Sequence, residues 1–182
     1  PSEVFQHRAW TAVPVALHPL ELVYGAGQVR ARAGAPETWV HNEPMRAADY
    51  AFFDVPFAAF AHRGGATYEP NLYRENSLHA FKEAVALGYR YLETDVHATR
   101  DGVLLAFHDR VLDRVTDHTG AIAELTDAEI AEARIHGLDP IPRLSELLAE
   151  FPDVRFNVDV KSPRAVTLMA ATIAEYEAYD RV

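Results

Sequence analysis

From residue 57 onward, apolar and polar positions fall into short blocks whose period keeps changing between two and 3.6. FAAFA (57–61) is a brief apolar run of the kind used by a buried strand, and it passes through His62 and Arg63 into the polar loop 64–74. In SLHAFKEAVALG (77–88), Leu78, Phe81 and Val85 share one helical face and Gly88 supplies a stop, so the spacing predicts a helix. YRYLETDVHA (89–98) and VLLAF (103–107) read as strands separated by the turn signal Asp101-Gly102. After the polar, turn-rich stretch 109–125, Thr126 and Glu129 have capping-box spacing, which predicts a short helix over 126–135. LSELLAEF (144–151) predicts another helix. VRFNVDVK (154–161) predicts a strand, and 162–177 a helix with Ser162 at its cap and Pro163 in its first turn.

Strands alternating with helices predict a parallel α/β architecture, either a barrel or an open doubly wound sheet. Only about four strands are legible and the sequence stops just after the last helix, so the expectation is part of such a fold. Residues 1–56 carry scattered prolines, the tract GAGQVRARAGAP and no sustained period. They are expected to be an N-terminal extension of unknown role, ahead of a domain over 57–182.

Composition narrows the function classes. An apolar fraction of 49% is ordinary for a globular chain. Acidic residues outnumber basic ones, 27 to 17, for a net charge of -10 without a Lys/Arg cluster. That balance argues against nucleic acid or an anionic membrane surface as a partner. The absence of cysteine excludes disulfides and thiolate metal sites. No apolar run approaches the roughly 20 residues of a membrane helix. AWTAVPVALHPL is interrupted by Pro14, His18 and Pro19, so a cytoplasmic protein is expected over a secreted one.

The chemistry gathers at strand ends. Residues two apart on a strand point the same way, so Glu93 and Asp95 share one face, as do Asn157, Asp159 and Lys161. Carboxylates side by side in an apolar strand repel each other, and a hard divalent cation, Ca²⁺ or Mg²⁺, removes that penalty. An exposed edge with solvated carboxylates is the alternative. His62-Arg63 stands at the end of the first strand and His108 directly after the third, with His97 and Asp109 as weaker candidates. Two imidazoles suit acid–base work near neutral pH, and Arg63, Lys161 and a metal suit a phosphoryl group in transit. The combination points to phosphodiester cleavage.

These motifs resemble the glycerophosphodiester phosphodiesterase family. The matching residues are His62-Arg63-Gly64, Glu75-Asn76-Ser77, Ala86-Leu87-Gly88, Glu93-Thr94-Asp95-Val96, Asp101-Gly102-Val103, Phe107-His108-Asp109, Leu112-Asp113-Arg114 and Asp159-Val160-Lys161. The resemblance runs from about residue 57 to the end. It implies a (β/α)₈ TIM barrel, of which about the first four strands are present, that hydrolyses small-molecule glycerophosphodiesters to sn-glycerol 3-phosphate and an alcohol. It further implies His62 and His108 as the acid/base pair and Arg63 as a phosphate ligand. Glu93, Asp95 and Asp159 would bind Ca²⁺ or Mg²⁺, Lys161 would stabilise charge, and Glu75 would line the site. Asp159 stands where the family usually has glutamate, and the loop between His62 and Glu75 is longer than usual. Two other readings are a phospholipase D-like lyase of the same barrel superfamily, whose members are typically disulfide-bonded, and a non-catalytic phosphate-binding module. Open barrel edges would also favour self-association.

Overall fold

A computed structural model describes residues 49–182 apart from Pro56. The expected features of residues 1–48 lie outside the described residues. The fold is built on β2 (Tyr91–Ala98), whose two edges are occupied differently. One edge carries β6 (Arg155–Val160) in parallel, in register from Tyr91↔Arg155 to Val96↔Val160. The other edge is divided. β1 (Phe60–Ala61) pairs in parallel with its beginning, and β3 (Leu104–Ala106) pairs antiparallel with its end.

The antiparallel β3 corrects the expectation of four parallel strands, and the reason is the length of the connection. A parallel return needs a crossover of about a dozen residues, whereas only residues 99–103 link β2 to β3. Thr99 closes that hairpin: its hydroxyl donates to Asp101 Oδ1 at 2.6 Å and accepts the Val103 N–H at 2.9 Å. The first strand is also shorter than expected, with Phe57 82% exposed and pairing confined to Phe60–Ala61.

Helices cover one face of the sheet. α1 (Leu78–Ala86) begins where the Ser77 hydroxyl accepts the Ala80 N–H at 3.1 Å. It ends in a left-handed Gly88 whose N–H reaches Val85 O while Tyr89 N–H reaches Ala84 O. α3 (Leu144–Glu150) and α4 (Pro163–Glu175) complete the layer. Pro163 opens α4 as expected, but the Ser162 side chain makes no capping bond. Phe81, Leu92, Val96, Leu144, Leu147 and Phe156 are wholly buried between sheet and helices, with Phe81 edge-on to Phe156.

Between Phe107 and Pro142 the chain makes an excursion with its own small core, containing Leu112, Val115, Ile122 and Ile130 around Leu105 and Phe107. The Thr126/Glu129 capping box forms, but α2 spans only Asp127–Ile130 where a helix to residue 135 was expected. The Asp117 carboxylate takes the Arg134 N–H at 2.7 Å. Arg134–Ile135 then becomes β4, paired antiparallel with β5 (Asp139–Pro140). A side-chain acceptor from much earlier in the chain has captured an N–H that would have continued the helix.

Residues just before 57 contact this body. The Tyr91 hydroxyl donates to Asp54 Oδ1 at 2.7 Å and accepts the Asp54 N–H at 2.9 Å, and the same carboxylate pairs with Arg90 and Arg155. Among the described residues no helix is long and apolar enough to cross a membrane.

The turn after β1 depends on glycine. Gly64 has φ +75°, and a Cβ there would lie 3.0 Å from Ala80 Cβ and 3.1 Å from the Phe81 N atom. Gly88, at φ +94°, has open space around it. Urea unfolding should therefore separate the two sites. Gly88→Ala is expected to cost about 1 kcal/mol for backbone strain alone, and Gly64→Ala about 2 kcal/mol or more. Equal losses would show that the turn can move off α1.

Candidate active site

Arg63 lies in the left-handed region (φ 50°, ψ 40°), and this places its backbone and side chain at the end of β2 simultaneously. Its N–H donates to Glu93 Oε2 at 2.8 Å, its Nη1 to Glu75 Oε1 at 3.3 Å, and its Nε lies 3.5 Å from Asp95 Oδ2. Such backbone geometry is uncommon outside glycine and must be held by its surroundings. Two buried asparagines hold it. Asn76, itself at φ 58°, donates its N–H to Arg63 O at 3.0 Å and its side-chain NH₂ to Asp95 Oδ2 at 3.2 Å, and it accepts from the Thr94 hydroxyl. Asn71 donates to Gly64 O at 2.9 Å and Ala80 O at 3.2 Å, fixing the turn against α1.

The β2–β6 register aligns Glu93 with Asn157 and Asp95 with Asp159, so the two strands present their carboxylates on one face. The Asp95 side chain is only 3% exposed. Its charge is met by Arg63, by Asn76 and by Lys161 Nζ at 2.9 Å. Lys161 also pairs with Asp159, whose side chain is 57% exposed; that contact first and the one to Asp95 next raise the Lys161 pKa. Glu93 is less well compensated. Burial pushes its carboxyl pKa up, and the nearby Asp95 charge adds to this against the opposing hydrogen bond from Arg63 N–H.

A half-buried carboxylate beside a second one is a setting that a hard cation relieves. Glu93 and Asp95 therefore fit a divalent ion as oxygen ligands, and Asp159 is the third carboxylate on that face. Among the described residues no three acidic or histidine side chains close up as a complete metal cage. Mg²⁺ is commonly held by one or two carboxylates, with water and substrate phosphate as the remaining ligands.

The two histidines join this row by different routes. His62 Nε2 is 3.8 Å from Glu93 Oε2, and the ring is 67% exposed. His108 is partly buried, with Nδ1 2.6 Å from Asp109 Oδ1. Asp109 is held down to about 2, first by its hydrogen bond from Arg114 and then by the contact with His108. His97 plays a different part from an acid or base. Burial pushes its pKa down, and Nε2 sits 3.1 Å from His108 O, bracing the backbone of the catalytic candidate.

All eight expected residues thus join one polar network. Arg63, Glu75, Glu93, Asp95 and Lys161 are in direct contact, His62 enters through Glu93, Asp159 through Lys161, and His108 through Asp109 and Arg114. Sequence reasoning assigned no role to Asn71, Asn76 and Arg114. For Asn76 a signal existed, since asparagine directly before a helix cap is the residue that best tolerates φ > 0 after glycine. Tyr73 lines a cavity of about 280 Å³ with Ala66, Glu75, Arg114, Val115 and His136.

Known proteins share the sequence and fold of this chain. The chain is 40% identical over 124 residues to probable glycerophosphodiester phosphodiesterase 2 of Mycobacterium tuberculosis, covering 68% of this chain and 46% of that protein. It is 33% identical over 136 residues to the glycerophosphodiester phosphodiesterase of Caldanaerobacter subterraneus, covering 67% and 54%. The crystal structure of glycerophosphodiester phosphodiesterase from Agrobacterium tumefaciens superposes with a TM-score of 0.59 at 27% identity, over 66% of this chain and 53% of that one. The chain thus spans about half the length of these relatives, and its fold is the corresponding part of their (β/α)₈ barrel. The profile of the glycerophosphoryl diester phosphodiesterase family matches residues 62–181, from the histidine of the first turn to the end of the segment after α4. This chain belongs to the glycerophosphoryl diester phosphodiesterase family.

Proposed function

We propose that the protein carrying this chain hydrolyses glycerophosphodiesters to sn-glycerol 3-phosphate and an alcohol. The observation that supports it best is the β2–β6 register, which sets Glu93 and Asp95 beside Asn157 and Asp159, together with the strained turn that puts Arg63 against the first two. That row combines carboxylates for a cation with Arg63 and Lys161 for a phosphate, with His62 beside Glu93 and His108 linked through Asp109, Arg114 and Glu75.

In this reading one imidazole of the His62/His108 pair removes the proton from a glycerol hydroxyl as its oxygen bonds to phosphorus. The other delivers a proton to the departing alcohol oxygen as the P–O bond breaks. Water then opens the resulting cyclic phosphate with the two proton transfers reversed. Asp109 holds His108 through Nδ1 and leaves Nε2 for that exchange. Arg63 and Lys161 offset the negative charge that grows on the phosphoryl oxygens, Arg63 with a fixed fork of donors and Lys161 as a mobile point charge. Glu75 keeps the Arg63 guanidinium in place. Glu93 and Asp95, with Asp159 beside them, would hold Ca²⁺ or Mg²⁺, which when bound supplies positive charge to the phosphate.

Two experiments on the full-length protein test this reading. His62→Ala and His108→Ala are each expected to lower kcat by about 10²-fold or more with an unchanged circular dichroism spectrum. Wild-type turnover in either variant removes that histidine from the chemistry. For the cation, added Ca²⁺ or Mg²⁺ should raise the melting temperature of the chelator-treated protein, because a ligand that binds only the folded state stabilises it. Glu93→Gln and Asp95→Asn should shrink that shift, and excess chelator should abolish turnover, whereas Asp159→Glu should keep both. Full turnover in excess chelator would sink the metal assignment.

A further inference from the structure

Arg114 lies in the excursion, distant in sequence from the strands of the site, yet it is the most heavily engaged cation of the site. Its Nε donates to Asp109 Oδ2 at 2.5 Å and its Nη2 to Asp109 Oδ1 at 3.2 Å. The same guanidinium donates to Glu75 through Nη2 at 2.7 Å and through Nη1 at 3.3 Å. A solvated surface ion pair is worth little, because two long side chains must be ordered in water. This one differs in three respects. Both carboxylates are engaged in a forked manner, both are largely covered although the Arg114 side chain is itself 48% exposed, and the loop that carries the arginine is held by its neighbours. Leu112 and Val115 on either side are buried, and Asp113 holds the loop by accepting the Gly120 N–H at 3.0 Å.

We infer that Arg114 is a positioning residue for His108: by clamping Asp109 to Glu75 it fixes the carboxylate that orients the His108 imidazole and ties that imidazole to Arg63. This rests on the reading of His108 as an acid or base. The chain of contacts is continuous, from His108 Nδ1 to Asp109, to Arg114, to Glu75 and on to Arg63. Asp109 stays ionised at any working pH, so it accepts from Nδ1–H and thereby selects the tautomer with a free Nε2. A carboxylate that orients a histidine works only while its own position is fixed, and among the described residues the side-chain donors to Asp109 are His108 and Arg114. Removing the guanidinium frees Asp109 to rotate, and it also removes one of the two cations holding Glu75. Lysine cannot replace it, because one ammonium cannot engage two carboxylates in forked fashion.

The test is steady-state hydrolysis of sn-glycero-3-phosphocholine by the full-length protein. Arg114→Gln is expected to lower kcat about 10- to 100-fold, the range typical of groups that orient a functional side chain, with KM changed by less than about 3-fold. Asp109→Asn should cost a similar factor. Adding Arg114→Gln to Asp109→Asn should cost less than about 3-fold more, because both act through the same imidazole. Millimolar methylguanidinium should restore part of kcat to Arg114→Ala, which a purely structural role would not allow. If the Arg114 variants fail to fold, Asp109→Asn decides alone, and wild-type kcat in it overturns the clamp. An unchanged kcat in Arg114→Gln, a KM rise with intact kcat, or fully additive losses would each overturn it as well. His108→Ala, run in parallel, separates the two levels. A dead His108→Ala beside an active Arg114→Gln refutes the clamp alone, whereas an active His108→Ala refutes the acid/base reading with it.

Discussion

The structure turns on one electrostatic constraint, the carboxylate of Asp95. It is almost wholly covered, and a carboxylate in that position must be neutralised or become protonated. Three elements converge to neutralise it. The turn after β1 supplies Arg63, the segment before α1 supplies Asn76, and the residue after β6 supplies Lys161. To bring Arg63 there, its backbone enters the left-handed region, and the segment that follows sustains it with two buried asparagines and a glycine in contact with α1. What looks like a binding site is thus also the joint at which β1, β2, β6 and α1 are registered against each other. The site and the fold are stabilised by the same contacts.

The excess negative charge at Glu93 follows from that arrangement. Arg63 and Lys161 are shared among Asp95, Glu75 and Asp159, so Glu93 is left with a backbone N–H and the distant ring of His62. One carboxylate is satisfied and its neighbour is not. Such an imbalance is costly for stability alone and is intelligible where an external cation is expected to complete the set.

Much of this was legible in the residues. Period two placed Glu93, Asp95, Asp159 and Lys161 on one face of two strands, and the register confirms the face down to the pairing of Asp95 with Asp159. The helix starting after Ser77 and the Thr126/Glu129 box were equally plain, because capping depends on side chains adjacent in sequence. The failures share a cause. The helix after Thr126 stops at Ile130 because Asp117, ahead of it in the chain, captures Arg134 N–H. The Arg114 bridge likewise joins residues far apart in sequence. Contacts across the fold leave no periodic trace. The direction of β3 is the exception, since the short link 99–103 already forbids a parallel return.

The excursion between Phe107 and Pro142 departs and returns at almost the same place. Ala106 N–H bonds to Pro142 O at 2.9 Å, and Leu105 bridges to Arg143. A loop whose ends are already joined can change length at small entropic cost, because closure grows only with the logarithm of the loop. With a hydrophobic centre of its own, this lobe is the part of the molecule that evolution can resize or exchange while the strand rim stays unaltered. The lobe is tethered to the rest of the body at several points: Arg114 to Glu75, Asp139 to Arg74, and Glu129 and the Leu125 carbonyl to Arg100. Variation in the lobe is therefore free to reshape what surrounds the rim, as long as the residues that make these ties keep their places.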